Sequence, residues 1–539
     1  MTEVVMSQTP PILHGPSEKE KKYDRQLRLW AASGQAALES AHILLVNSGA
    51  GTVGIEALKN LVLPGIGKFT IADDAVVNEA DLGVNFFLDE SCLGKLRSES
   101  SAKLLQELNP EVQSDYFPKN GAPLDLRKVL QTSPTFTVIL YTYPISRENL
   151  GIIEEYGKEH KTPLFAIHSA GFYSYFRINL PGTFPVVDTH PEVEKTTDLR
   201  LLSPWPELSQ FAEEMTKDID SLDNHKHGHI PYLVLLLHFL KKWRSSHNGE
   251  DPTSTKDKKE FRAFVLSHMR SDNPEGGEEN FQEAEAAINK NVVAPRLEDG
   301  VKEIFDHQLT NEYENRSTFW LVVAAVKRFY EKNGCLPVPG AIPDMKAESD
   351  VYVKLQRIYK NKAQKDAREV FEAVKSMPGG ERAEFADVEL FCKNARFVRL
   401  INATANNKGL DSLIGKSFIA KDAEAEAMFE ATGGAFSMPK SNLFIYLALL
   451  ATAHNPQATA DDIMEATHKL APAVTQNERM LQSAQEVARA QGGELHNISA
   501  FTGGMVAQET IKIITKQYIP IDNTCIFDGI SSRCQVLHL

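Results

Sequence analysis

HILLVNSGAGTVGIEALKNLVLPGIGKFTIADD, residues His42 to Asp74, carries the strongest fold signal in this chain. The run His42 to Val46 reads as a buried strand. A glycine turn follows, and the apolar run Val53 to Val62 reads as a helix that Pro64 and Gly65 break. A second strand, Lys68 to Ala72, ends on Asp73 and Asp74. Strand, turn, helix and strand in this order begin a doubly wound parallel sheet, an α/β fold. Gly49, Gly51 and Gly54 form G-x-G-x-x-G between strand and helix. Such glycines allow a tight turn and let a phosphate approach the helix N-terminus. Asp73, 19 residues beyond Gly54, stands where a carboxylate accepts ribose hydroxyls. The pattern does not separate NAD from ATP. It is also satisfied by glycines that serve helix–strand packing alone.

Working outward, residues 1–16 are polar and proline-bearing and are expected to be disordered. A helix pattern starts near Ser17, with Tyr23, Leu27 and Trp30 on one face. Downstream, Thr135 to Thr142 and Leu164 to His168 read as further strands, and Tyr173 to Leu180 alternates as an antiparallel strand would. From Pro181 to Arg489 the helix period dominates. Helices are expected at Pro231–Trp243, Phe281–Lys290, Ser317–Glu331, Ser349–Val374 and Leu443–Ala453, with mobile loops at Ser245–Lys259 and Ser271–Asn280. Ala500 to Thr515 reads as a helix whose Gly503, Gly504 and Ala507 let its backbone lie close to a neighbour. Thr524–Phe527 and Gln535–Leu539 read as a hairpin. The expected organisation is a nucleotide-binding fold begun by residues 17–180, interrupted by a helical insertion over 181–489, and completed by 490–539.

Composition narrows the function classes. At about 150 residues per domain, 539 residues suggest three or four units. A net charge of -14 disfavours a nucleic-acid backbone as partner. Neither of the longest apolar stretches, Tyr232–Leu240 and Leu443–Ala453, reaches the roughly 20 residues of a membrane span, so no membrane partner is expected. Five cysteines without a CxxC pair exclude a disulfide scaffold and a four-cysteine zinc site, and fit a reducing compartment. Cytoplasm and nucleus are the expected locations. His225, His227 and His229 alternate before Pro231, and a polar helix start accounts for them better than a metal site. Leu443–Ala453 reads as a core helix before it reads as a partner surface.

Four longer stretches carry a resemblance. YDRQLRLW (Tyr23–Trp30), EALKNLVLPGIGKFTIAD (Glu56–Asp73) and GELHNISAFTGGMVAQETIKIITKQYIP (Gly493–Pro520) resemble signatures of the ubiquitin-like-protein-activating enzyme superfamily. Leu336–Ala367 with Phe391–Leu400 is similar to the non-catalytic subunits of its neddylation branch. The resemblance implies an adenylation (ThiF-type) fold whose helical insertion corresponds to a catalytic-cysteine domain. Active members adenylate a modifier's C-terminal glycine with ATP and Mg²⁺, then pass it to their own cysteine. Here the matching segment reads Asp81, Leu82, Gly83, Val84, Asn85, Phe86, so Val84 replaces a phosphate-binding Arg. The next reads Gly94, Lys95, Leu96, Arg97, Ser98, with Arg97 in place of a Lys. Thr142 falls on the Mg²⁺-binding Asp and is a poor hard-cation ligand. No Cys-Thr pair exists in the chain.

The resemblance therefore implies a pseudo-enzyme. The loop Gly49, Gly51, Gly54 and Asp73 would be vestigial, with no metal and no cofactor of its own. ATP and Mg²⁺ would belong to a homologous catalytic subunit, the obligate partner. The modifier and, indirectly, its conjugating enzyme are the other expected partners. Arg25, of the Tyr-Asp-Arg signature, would reach in trans into the partner's ATP site, with Arg28 as the nearby competitor. The alternatives are a SUMO-type subunit, a free-standing adaptor and, on the glycine turn alone, an NAD-dependent dehydrogenase.

Overall fold

A computed structural model describes residues 15, 17–119, 122–131, 134–192, 195–271, 277–311, 317–401, 424–425, 427–433 and 441–539. The expectation for residues 1–16 lies outside these but for residue 15, and that for Ser271–Asn280 lies partly outside. The chain forms two compact units, Met1–Phe184 with Ile401–Leu539, and Pro185–Leu400.

The first unit is built on eight strands: β1 (His42–Val46), β2 (Lys68–Ala72), β3 (Gln113–Phe117), β4 (Val138–Thr142), β5 (Leu164–Ala170), β6 (Tyr173–Asn179) and, late in the chain, β9 (Thr524–Asp528) and β10 (Arg533–Leu537). Between them in sequence, β7 (Phe184–Val187) and β8 (Val398–Ile401) pair with each other. The sheet order is β10-β9-β6-β5-β4-β1-β2-β3. Strands β1 to β5 pair in parallel, and β6, β9 and β10 join antiparallel. β1, β4 and β5 are buried along their whole length, as apolar strands covered on both faces must be.

On one face Ile55, Leu58, Leu105 and Val506, from helices Thr52–Val62, Arg97–Leu108 and His496–Thr515, pack on Ile43, Leu45, Phe69 and Phe165. On the other, Ile153 and Tyr156 pack on Leu44, Ile139 and Tyr141. There too Leu443–Leu449, Met480 and Val487 pack on Tyr173, Tyr175 and Ile526. The strand order reverses at β1, which has β2 on one side and β4 on the other. Its C-terminal end is the switch point, where open α/β sheets place their ligand crevice.

The insertion differs from the expected 181–489. Its compact part is Pro185–Leu400, and helices Leu443–Ala451, Ala460–Leu470 and Glu478–Ala490 belong to the sheet unit. The reason is burial: Leu443 to Leu449 are sealed against β6 and β9 as core. β3 escaped the sequence reading because its polar, half-exposed residues sit at the sheet edge. The return helix begins at His496 rather than Ala500.

The second unit, taken alone, has two apolar cores. Helix Tyr232–Ser246 with Phe261, Val265 and Phe281 forms one, and helix Thr318–Asn333 with Val370, Val374 and Phe391 forms the other. The long helix Ser349–Lys375 serves both, through Leu355 and Tyr359 in the first and Ala367 and Val370 in the second. The loop expected over Ser245–Lys259 is shorter. A capping box between Ser254 and Asp257 starts helix Thr255–Leu266, which buries Phe261 and Val265. His227 is buried against Glu278 at 2.6 Å, while the rings of His225 and His229 lie 4.1 Å apart at a tilt. Among the described residues no three side chains are grouped to hold a metal ion.

Candidate functional site

The glycine loop leaves the C-terminal end of β1. Gly49 and Gly51 have φ of 61° and 64°, a region costly for any residue with a side chain. A Cβ on Gly54 would lie 2.7 Å from the Asn47 Oδ1 and 2.8 Å from Leu45 Cδ1, and one on Gly51 would enter the Asn47 amide. Packing therefore requires glycine at these positions whether or not a nucleotide is bound.

The structure brings Asp73 to the same place and surrounds it with donors. Arg97 donates from Nε to Asp73 Oδ2 at 2.7 Å and from Nη2 to Oδ1 at 3.2 Å. The Asn47 amide donates to Oδ2 at 2.9 Å, and the Ala75 N–H to Oδ1 at 3.0 Å. Each oxygen thus accepts two hydrogen bonds, which fills the carboxylate. Arg97 Nη1 donates further to Asp81 Oδ1 at 3.0 Å and to the carbonyls of Gly49 and Ala50. Arg97, Asp73 and Asp81 are all buried. The sequence reads Arg97 as a replacement for a phosphate-binding Lys; in the fold it is an internal ion-pair hub that ties the loop to two carboxylates.

The N-terminus of helix Thr52–Val62 is also engaged. Val53 N–H donates to Glu494 Oε2 at 2.8 Å, and the Ser499 hydroxyl donates to the same oxygen at 2.5 Å. Burial pushes the Glu494 carboxyl up to about 7, against the opposing pull of Ser499, Val53, Arg97 and Gly51. No spacing in the sequence announces Glu494, because its partner is 441 residues away.

Thr142, at the end of β4, is fully buried, donates to Asn47 Oδ1 and accepts from Ser48 N–H at 2.8 Å. It is a brace beneath the loop. The Val84 carbonyl bonds His496 at 2.9 Å, and Phe86 stacks on that imidazole at 3.7 Å while remaining largely exposed. Arg25 lies apart from these groups, exposed on helix Asp24–Ser40. Tyr23 anchors that helix start, accepting from Asn109 at 3.0 Å and donating to Glu111 at 3.1 Å. Trp30 is buried where the helix kinks. The competitor Arg28 is paired with Asp24 at 3.0 Å. All five cysteines are free, and burial pushes the Cys392 thiol far up.

As arranged, the glycine-loop residues do not fit a nucleotide: Asp73 is saturated, and a carboxylate already sits on the helix N-terminus.

The family model of the ThiF family matches residues 23–539. The NEDD8-activating enzyme E1 regulatory subunit of Xenopus laevis is 35% identical over 95% of this chain and 97% of that protein. Its counterpart in Danio rerio is 34% identical over 97% and 99%. The NEDD8-activating enzyme E1 regulatory subunit AXR1 of Arabidopsis thaliana is 33% identical over 97% of each.

Proposed function

This chain belongs to the ThiF family and, within it, to the regulatory subunits of NEDD8-activating enzyme, and from that premise we propose that it is the non-catalytic half of a heterodimeric activating enzyme in neddylation. The observation that carries this is similarity along nearly the whole length of the regulatory subunits, joined to a glycine loop whose ribose-binding position is filled by Arg97. The chain pairs with a homologous catalytic subunit. Adenylation, with ATP and Mg²⁺, is left to that subunit, where the modifier's C-terminal carboxylate would take the adenylyl group of ATP and pyrophosphate would leave.

Three parts of this chain support such a role. Arg25 is exposed on a helix whose start is anchored by buried Tyr23 and Trp30, so its cation can be offered outward. Arg28, held by Asp24, is the poorer candidate. The compact unit Pro185–Leu400 would correspond to a catalytic-cysteine domain without its cysteine, and in this reading contributes to the groove that holds the modifier. Its thiols form no thioester; Cys392 is buried and held protonated.

The test combines the catalytic subunit, NEDD8 and ATP with and without this chain. Charging of the partner only in the presence of this chain supports the reading. Equal charging without it overturns the reading in favour of a free-standing adaptor. A thioester on this chain itself overturns its non-catalytic assignment.

A further inference from the structure

We infer that Glu494 is a built-in ligand of the glycine loop: its carboxylate occupies the oxyanion position at the N-terminus of helix Thr52–Val62, and removing it opens that position to a phosphate. This goes beyond the heterodimer reading and does not depend on it.

The first turn of a helix has backbone N–H groups without intrahelical partners and a positive end, so an anion is stabilised there. Glycine loops of this type direct those groups at a phosphate. Here Gly51 is the cap residue and supplies no side-chain acceptor. Glu494 supplies one instead, at 2.8 Å from Val53 N–H.

Three observations show that the carboxylate is built in rather than incidental. Its oxygen is fixed a second time by the Ser499 hydroxyl at 2.5 Å, on the return helix. Its backbone is fixed too, since Gly171 N–H donates to the Gly493 carbonyl at 2.9 Å and Gly171 pairs with Glu494 as a parallel bridge. It is buried, and a buried carboxylate is costly unless donors meet it, which here include the helix terminus itself. The loop bears a further mark of an incompletely met site. Thr52, first residue of the helix and fully buried, has a hydroxyl without a hydrogen-bond partner. Arg97, spread over Asp73, Asp81 and the loop carbonyls, closes the neighbouring ribose position. The nucleotide crevice is thus filled by one cation and one anion of the chain itself.

The test uses the full chain and two probes, orthophosphate and ATP, followed by thermal shift and calorimetry. Wild type is expected to show no saturable response to orthophosphate. Glu494→Ala is expected to gain one, with affinity tighter by about tenfold or more, the size of one charge-assisted contact. Glu494→Gln keeps the shape of the side chain and is the variant to use if Glu494→Ala does not fold; it is expected to gain a weaker response. ATP is expected to bind these variants no better than orthophosphate, because Arg97 still covers Asp73. Two results overturn the inference: folded variants that gain no response, or a wild type that binds either probe as tightly as they do.

Discussion

Arg97 holds the glycine-loop region by charge. Its guanidinium spans Asp73, Asp81 and two loop carbonyls in a buried setting. Arg97→Met is expected to leave two buried carboxylates unpaired, at a cost of about 3–5 kcal/mol in urea unfolding. Arg97→Lys recovers only part, since one ammonium cannot reproduce the fork. Glu494 gives a pH signature. Its native pKa of about 7 lies above the ordinary 4.5. The native state therefore binds more protons between those values, and the contribution to stability, complete below about 4.5, is lost as pH rises through about 7. Arg97 is the charged group acting on it. Glu494→Gln is expected to lose less stability than wild type between about pH 5 and pH 8, measured by denaturant titration. The three glycines were legible in sequence because the turn imposes positive φ at Gly49 and Gly51 and close packing at Gly54. The roles of Arg97 and Glu494 were not: each was quoted within a motif, but its partners are supplied by chain folding.

At the scale of elements, the return helix His496–Thr515 packs on helix Thr52–Val62 through Gly503. A Cβ there would lie 2.7 Å from Ala57 N and 2.8 Å from Glu56 C, which are backbone atoms that cannot swing away. Gly503→Ala is expected to cost about 1–3 kcal/mol. A Cβ on Gly504 meets nothing within 4 Å, so Gly504→Ala is expected to gain about 0.5–1 kcal/mol. Melting temperatures of the two variants check the contrast. The sequence suggested that Gly503, Gly504 and Ala507 all allow close approach, and could not say which faces the neighbour. The central strands were readable as apolar runs. Edge strand β3, Gln-Ser-Asp-Tyr-Phe, was not, because a strand covered incompletely carries no such run.

For the whole molecule, the chain divides at Phe184 and Leu400. The first boundary shows in sequence as a change from strand to helix period. The second does not, since helices Leu443–Ala451 and Glu478–Ala490 look like those before them and differ only in packing on the sheet. Arg25 belongs to this scale, because its proposed role needs a second subunit. Arg25→Ala is expected to leave unfolding stability within about 0.5 kcal/mol. It is expected to slow NEDD8 charging of the catalytic partner in a thioester assay, whereas Arg28→Ala leaves the rate unchanged.

The placement of β9 beside β6 has a consequence during synthesis. More than three hundred residues separate Asn179 from Thr524, and β6 finds its second neighbour only when the latter has been made. At about 5–20 residues per second, roughly 20–70 s of ribosomal elongation pass with Tyr173–Asn179 bare on one side. An apolar edge exposed that long invites pairing with other nascent chains, so chaperone capture of the translating polypeptide is expected to begin after β6 emerges and end with β9.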